Sequence, residues 1–419
     1  MRNTQILNYS LTCKDLESLS LRYDQCVFLS SNADNLISYL ALGTKTEFKA
    51  ERNQVFDELQ DFVNQHQDWV FGYLGYDLKN EIEPTLSSNN SDEVGFGDFH
   101  FFVPEIVVEL TIDFSKAHYF ENKEKDYFLS ILEKNNQETT KKTQKVNFSQ
   151  RMSKEEYLEK FKIIKEHIQQ GDIYEMNFCH EFFSENTEIN PVETYSKLNE
   201  LTNAPFSTFY KNEEQFILSG SPERYLKKEG NKIISQPIKG TAKRGKTEKE
   251  DEQIKLELSQ NQKERSENIM IVDLVRNDLS KTAKKSSVKV EELCKVYSFD
   301  TVHQMISTVT SEIDDTVHLV EVLRTTFPMG SMTGAPKVEA MKIIEKLETT
   351  KRGVYSGAIG YFKPNQDFDF NVVIRTLLYN QENKYLSFMV GGAITNKATA
   401  EQEYEETLLK AEAMIASLK

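Results

Sequence analysis

Two acid pairs at helical spacing are the first residues that could do chemistry. Glu264 and Glu267 stand three apart, and so do Glu403 and Glu406. Ile271 and Leu274 continue the first face, and Lys410 and Met414 the second. An acid pair on a helix is commonly a solvated one. Here each pair heads an apolar stripe, which turns the carboxylates toward a pocket wall. Two such pairs facing each other make an all-oxygen site without Cys or His. Hard oxygen ligands suit Mg²⁺ rather than Zn²⁺. Lys410, one turn after Glu406, is placed to meet a substrate anion.

A second group surrounds a hairpin. Pro237-Ile-Lys-Gly-Thr241 follows it, and Lys239 lies between an apolar strand end and a glycine, a poor place for a solvated charge. A desolvated lysine near other cations loses its proton readily and becomes a nucleophile. Arg244, five residues on, is the expected cation. Glu223, in Ser221-Pro-Glu-Arg224, stands at the other end of the hairpin. Folding brings acid and amine to neighbouring strand ends, as a salt bridge or as an acid–nucleophile pair. Gly330-Ser-Met-Thr-Gly-Ala-Pro-Lys337 is a small-residue loop entering a helix. It reads as an anion site or as an ordinary capped helix start, and Pro336 excludes a Walker loop. Arg375, in Val372-Val-Ile-Arg375, is a cation in an apolar run and calls for a carboxylate of protein or ligand. Tyr355 and Gly391-Gly392 fall on neighbouring segments, where ordinary packing and a close backbone crossing also account for them.

These residues need elements to hold them. Short apolar runs at Cys26–Leu29, Val70–Leu74 and Phe101–Leu110 read as strands, and Phe48–Gln65 as a helix. Ser153 and Glu156 form a capping box for a helix that Gly171 ends. Strands follow around Ile173–Phe178 and Gln215–Leu218. The hairpin is Arg224–Lys228 with Lys232–Gln236, turning at Glu229-Gly-Asn231. Two helices fall within residues 249–279, with Ile269–Val272 apolar all round and so largely buried. Another helix starts with Pro336 at its first position. Strands resume at Ala358–Phe362, Phe370–Leu378 and Leu386–Val390. Thr399 and Gln402 box a last helix. Strands in clusters and hairpins favour α+β with largely antiparallel sheets. The lysine-rich stretch Asn135–Lys145 marks a boundary, giving an N-terminal region over 1–145 and a core over 146–419.

Composition narrows the function. The 419 residues are 38% hydrophobic and carry a net charge of −15. That apolar content builds a sizeable core, and the acidic surface repels phosphate backbones and anionic lipid. Nucleic acid and membrane are therefore excluded as expected partners. No segment reads as a signal peptide or membrane span. Four cysteines without a C-x-x-C pair imply reduced thiols and a cytoplasmic location.

Taken together, Ser-Pro-Glu-Arg, Pro-Ile-Lys-Gly-Thr, Glu267-Asn-Ile-Met-Ile-Val-Asp-Leu-Val-Arg-Asn-Asp278, Gly330–Lys337 and Glu406-x-x-x-Lys410 resemble the chorismate-binding enzymes. The likeness covers 150–419 strongly and extends more loosely to Trp69–Asp77. It implies two packed antiparallel sheets with helices outside. Lys239 stands where anthranilate synthases carry alanine and aminodeoxychorismate synthases carry lysine. In that resemblance Lys239 attacks chorismate at carbon 2, Glu223 protonates the departing 4-hydroxyl, and ammonia displaces the lysine at carbon 4. Glu267 and Glu406 match direct Mg²⁺ ligands, with Glu264 and Glu403 acting through water. Gly240, Thr241, Ser331, Thr333, Tyr355, Arg375, Gly391 and Lys410 match groups that hold the substrate. Gln304 replaces a histidine linked to pyruvate elimination. Glu175 falls where aminating members often have glutamine and isochorismate synthases a lysine. Ala393 replaces the last glycine of a Gly-rich strand. The implied reaction is amination of chorismate for 4-aminobenzoate and folate synthesis. With no glutaminase signature around Cys179, ammonia is expected from a separate glutamine amidotransferase subunit. The alternatives are an anthranilate synthase component I and a non-catalytic chorismate-binding regulator.

Overall fold

A computed structural model describes residues 2–7, 11–33, 37–51, 54–111, 114–121, 123–133, 145–300 and 302–419. Twelve strands form one sheet and ten form the other, and antiparallel pairings build both. The expected α+β architecture is therefore present. The proposed boundary stretch, Asn135–Lys145, lies outside the described residues except for Lys145. On either side of it the chain shares both sheets. Gln25–Ser30 pairs with Phe206–Asn212 in the larger sheet, and Val70–Leu74 with Ala358–Phe362 in the smaller.

Alternation along the strands divides the core. Val27, Tyr39, Phe71, Tyr73, Tyr210 and Ile359 face inward and fill the space between the sheets. Helix Val55–His66 and helix Gln262–Ser280 cover the outer face of the ten-stranded sheet. Helix Pro191–Thr202 and helix Ala400–Ala416 cover the twelve-stranded one.

Helix starts follow the capping chemistry. Ser153 accepts from Glu156 N, Glu156 reaches back, and Gly171 closes the Lys154–Gln170 helix at φ +84°. The last helix differs in detail. Thr399 is its N-cap, but its hydroxyl bonds the Gln402 side chain at 2.8 Å and no backbone N–H. Pro336 is the N-cap of helix Lys337–Leu347, one place before the expected position.

Two apolar runs that read as single strands are each split between the sheets. Phe101–Leu110 becomes Phe99–Val103 in the smaller sheet and Ile106–Leu110 in the larger. Pro104 has no N–H to give a ladder, so the run breaks there. Phe370–Leu378 becomes Phe368–Val372 and Thr376–Asn380, again in different sheets. Arg375, at φ +51°, makes that turn. Helix Val55–His66 starts later than Phe48, which follows the short strand Thr46–Glu47 and packs its ring on Phe62, Phe99 and Phe101. The helical periodicity at Phe48 thus came from one aromatic cluster fed by several elements. Helix Gln262–Ser280 is buried on one side only: Ile271 and Val272 are enclosed, while Ile269 is 39% exposed.

A buried fork fastens the twelve-stranded sheet to the loop before helix Lys337–Leu347. Arg352 pairs with Glu348 at 2.6 Å and gives further N–H groups to Met332 O and Asn177 O. Glu348 accepts from Cys179 N at 2.9 Å. Removing the guanidinium alone leaves a carboxylate buried without its partner. Arg352→Met should therefore cost about 3–5 kcal/mol of stability. The check is the denaturation midpoint, which should drop in the single variant and recover in part when Glu348→Leu is added. An unchanged midpoint in Arg352→Met contradicts this account.

Candidate active site

The chain passes between the sheets twice at one place. Strand Gln215–Ser221 leads through Pro222-Glu223 into strand Arg224–Glu229 of the other sheet. Strand Phe368–Val372 leads back through Val373–Arg375. The two links clasp each other: Val372 N donates to Glu223 O at 3.0 Å, and Gly220 N to Arg375 O at 3.0 Å. The Ser221 hydroxyl donates to Val372 O at 2.6 Å. The acid and the arginine therefore sit on adjacent links, where neither is part of a regular strand.

Glu223 is 6% exposed. Burial pushes its carboxyl up to about 7, against the pull of the Ser331 hydroxyl, Lys239, the Ile238 N–H and Arg375. Arg375 makes no ion pair among the described residues. Burial lowers its pKa, with Glu223 opposing. Arg375 is thus a half-buried cation without a protein carboxylate in contact, and the expectation that it sits in an apolar strand is corrected to a crossover.

The hairpin forms as read, Arg224–Glu229 against Lys232–Ser235, with Gly230 at φ +56° in the turn. The strand Ile238–Lys243 then places Lys239 amid acids. Its charge favours ionisation of Glu175, Glu223, Glu264, Glu267 and Glu406. Arg244 is not the neighbour expected. Its guanidinium is committed to Asp251 at 2.7 Å and Phe299 O at 2.6 Å. Gly240 stands at φ +91°, and a Cβ there would come within 3.1 Å of Glu264 Oε2. Thr241 pairs in register with the buried Gln304.

The two acid pairs face one another from helices Gln262–Ser280 and Ala400–Ala416. Burial raises Glu264 and Glu403, with the charge of Glu406 adding to both. Burial lifts Glu267 to about 7, against Lys239 and Lys263. Burial opposes ionisation of Glu406 too, but Lys410 at 2.8 Å outweighs it and holds that carboxyl low. Lys263 pairs with Glu403 at 3.2 Å. With Lys263 and Lys410 occupying two of the acids, no three acid, His or Cys side chains among the described residues converge on one point. The donor set is all oxygen. Gly392 leaves the space above it open: a Cβ there would lie 3.2 Å from Glu403 Oε2 and 3.9 Å from Glu406 Oε1. Oxygen donors of this kind are the ones a hard divalent cation takes, but among the described residues the four carboxylates are not gathered on one point.

The remaining expected residues come from other elements. The Gly330–Met332 turn presents Ser331, whose carbonyl accepts from Asn177 Nδ2 at 3.1 Å. Thr333 spends its hydroxyl on Met329 O and Gly330 O, which stiffens this turn. Lys337, at the loop's end, is buried on Asp278 and Thr326 O and serves the fold. Tyr355 is buried, its hydroxyl 3.7 Å from Cys179 Sγ. A Cβ on Gly391 would strike that sulfur at 2.4 Å, so the close-crossing reading of this glycine holds. Gly391 O accepts from Lys410 at 2.8 Å. Burial pushes the Cys179 thiol up to about 12, which leaves it inert as a nucleophile. Sequence reading missed Lys263, Asn177, Glu348 and Arg352. Lys263 and Asn177 meet partners far along the chain, and although Glu348 and Arg352 stand four apart, their other partners, Cys179 N, Met332 O and Asn177 O, come from distant segments.

The chain belongs to the chorismate binding enzyme family, whose model matches residues 24–416. It is 38% identical to aminodeoxychorismate synthase component 1 of Escherichia coli over 268 residues, covering 64% of this chain and 58% of that protein. It is 30% identical to anthranilate synthase component 1 of Aquifex aeolicus over 406 residues, 89% of this chain and 80% of that one. Its fold superposes on anthranilate synthase component I from Streptococcus pneumoniae with a TM-score of 0.81 at 25% identity, covering 91% of this chain and 93% of that one. The chain spans between 29% and 58% of the length of the first five curated relatives it matches.

The Glu223 environment yields a pH signature. Its carboxyl sits near 7 when folded, against an ordinary 4.5. The folded chain keeps a proton that the unfolded chain releases, so stability from this group falls as pH rises through that interval. The total is about 3 kcal/mol, at roughly 1.4 per pH unit. Glu223→Gln removes the loss. Its stability relative to wild type, from denaturant titrations, should rise from pH 4.5 to 7 and then level off. A difference that stays constant across the interval contradicts the assignment.

Proposed function

We propose that the chain aminates chorismate with ammonia to 4-amino-4-deoxychorismate, through a covalent adduct on Lys239. The observation that carries this reading is that the charge of Lys239 reaches the buried acid Glu223 and three of the helix glutamates, Glu264, Glu267 and Glu406. Several curated relatives bear the name aminodeoxychorismate synthase.

Chorismate is a dianion with a poor hydroxide leaving group. Lys239 Nζ bonds to ring carbon 2, the ring double bonds shift, and the bond from carbon 4 to oxygen breaks. Glu223, protonated near neutral pH, gives its proton to the departing hydroxyl, which leaves as water. Ammonia then bonds to carbon 4, the double bonds shift back, and the bond to Lys239 breaks with its electron pair staying on nitrogen. Arg375, without a protein carboxylate, takes a substrate carboxylate. Gly240, Thr241, Ser331, Tyr355, Gly391 and Lys410 wall the ring, on a turn that Thr333 braces. Glu267 and Glu406 would hold Mg²⁺, with Glu264 and Glu403 behind them. When bound, the ion supplies positive charge against the ring carboxylate. Gln304, where a proton-donating histidine would stand for pyruvate elimination, leaves the enolpyruvyl group attached. That residue and Lys239 set this reading above an anthranilate-forming one.

Ammonia comes, in this reading, from a separate glutamine amidotransferase subunit. The Escherichia coli relative is a component 1 by name, and Cys179 is too buried to act as an amidase nucleophile. A cytoplasmic location suits four unpaired cysteines. No helix among the described residues is long and apolar enough to cross a membrane. The product leads toward 4-aminobenzoate and folate.

The test is mass spectrometry of the intact chain with chorismate and Mg²⁺, without ammonia. The chain should gain the mass of chorismate minus water, on the peptide that carries Lys239. Lys239→Ala should lose the adduct and most of the amination. A wild-type chain without adduct, or an alanine variant at normal rate, overturns the proposal.

A further inference from the structure

One lysine outside the pocket is bonded in a way that reaches into it. Lys165 lies on helix Lys154–Gln170. It gives its ammonium to three backbone carbonyls, Thr395 O at 3.0 Å, Ala398 O at 3.4 Å and Asn396 O. Burial lowers its pKa, and no carboxylate offsets the effect. A cation spent on three carbonyls of one turn, with no acid to pair with, holds that turn in one shape. Phe161 and Ile164, on the same helix, share a buried cluster with Ile394, Ala398 and Tyr404, which flank the turn.

Both acid-bearing helices meet this turn. Residues 395–398 join strand Tyr385–Thr395, which carries Gly391 and Gly392, to helix Ala400–Ala416, which carries Glu403, Glu406 and Lys410. The helix does not fix its own start, because the side chain of its N-cap Thr399 accepts no backbone N–H. Glu403 N donates to Thr399 O at 3.1 Å, so Glu403 stands in the first turn and moves with whatever holds that start. On the other side, the Thr395 hydroxyl donates to Glu267 Oε1 at 3.3 Å, on helix Gln262–Ser280. The turn thus touches one acid pair along the chain and the other through a hydroxyl.

We propose that Lys165 is a positioning residue for the site: by pinning the turn 395–398 it sets the spacing between the Glu264–Glu267 pair and the Glu403–Glu406 pair. This rests on the reading above, in which those carboxylates take up Mg²⁺. Without the ammonium, Thr395 O, Asn396 O and Ala398 O lose their common partner and the turn gains alternative shapes. Glu403 and Glu267 then no longer keep one spacing, and a ligand that needs both helices is held less tightly.

Lys165→Met keeps the stem and removes the charge. Calorimetric titration of the chain with Mg²⁺ should show an affinity about tenfold below wild type, as when a group supporting a metal's ligands is removed. The Mg²⁺ concentration for half-maximal amination should rise in step, while kcat at saturating Mg²⁺ holds. Lys165→Arg, which keeps a donor cation, should recover most of the affinity. Lys154→Met, which removes an exposed ion pair to Glu405 between the same two helices, should leave it unchanged. Thr395→Val should weaken Mg²⁺ binding by itself and add little to Lys165→Met in the double variant, because both act through one turn. A lysine serving the fold alone would lower the denaturation midpoint without moving Mg²⁺ affinity, and that result overturns the proposal. So does a double variant whose losses add. If Lys165→Met does not fold, Thr395→Val with wild-type affinity overturns it instead. A wild-type chain that binds Mg²⁺ but forms neither adduct nor amine overturns the amination scheme, and the calorimetry still decides the role of Lys165.

Discussion

Val372 gives its N–H to Glu223 O and Gly220 gives its N–H to Arg375 O, and these two bonds tie together the two links that carry Glu223 and Arg375. Each link joins one sheet to the other. Their side-by-side arrangement sets the spacing of the sheets at the pocket and keeps both residues out of regular ladders. A carboxyl on such a link is buried by the sheet faces without being consumed by a strand partner. That is why burial can lift Glu223 to about 7, where it can both hold and release a proton at neutral pH.

Charge balance governs the rest of the pocket. Five carboxylates look toward Lys239, and Lys263 and Lys410 each hold one helix glutamate. The glycines at 240 and 392 keep side-chain bulk away from the oxygens of Glu264, Glu403 and Glu406. Acids this crowded stay together because burial and mutual repulsion raise several of them, and because lysines stand between them.

Much of this was legible in the residues alone. The Ser153–Glu156 box, the hairpin around Gly230 and the two acid-bearing helices follow from local spacing, because capping and turn chemistry act within a few residues. The crossovers did not show. Phe101–Leu110 and Phe370–Leu378 are mostly apolar, since each passes from one buried sheet to another, and a largely apolar run reads as one strand. Arg375 was singled out as a cation needing a partner, but its position on a turn at φ +51° depends on where the second sheet lies. Arg244 was expected near Lys239 because five residues separate them. The strand carries it instead to Asp251, a partner fixed by the following helix. The Arg352–Glu348 fork was invisible because its ligands are backbone carbonyls and an N–H from distant segments.

The account stands or falls on the product. Purified chain given chorismate, Mg²⁺ and an ammonium salt should yield a compound that keeps the enolpyruvyl ether and carries one amino group in place of the 4-hydroxyl, seen by mass and ultraviolet spectrum. Anthranilate with free pyruvate, or chorismate returned unchanged, would contradict it.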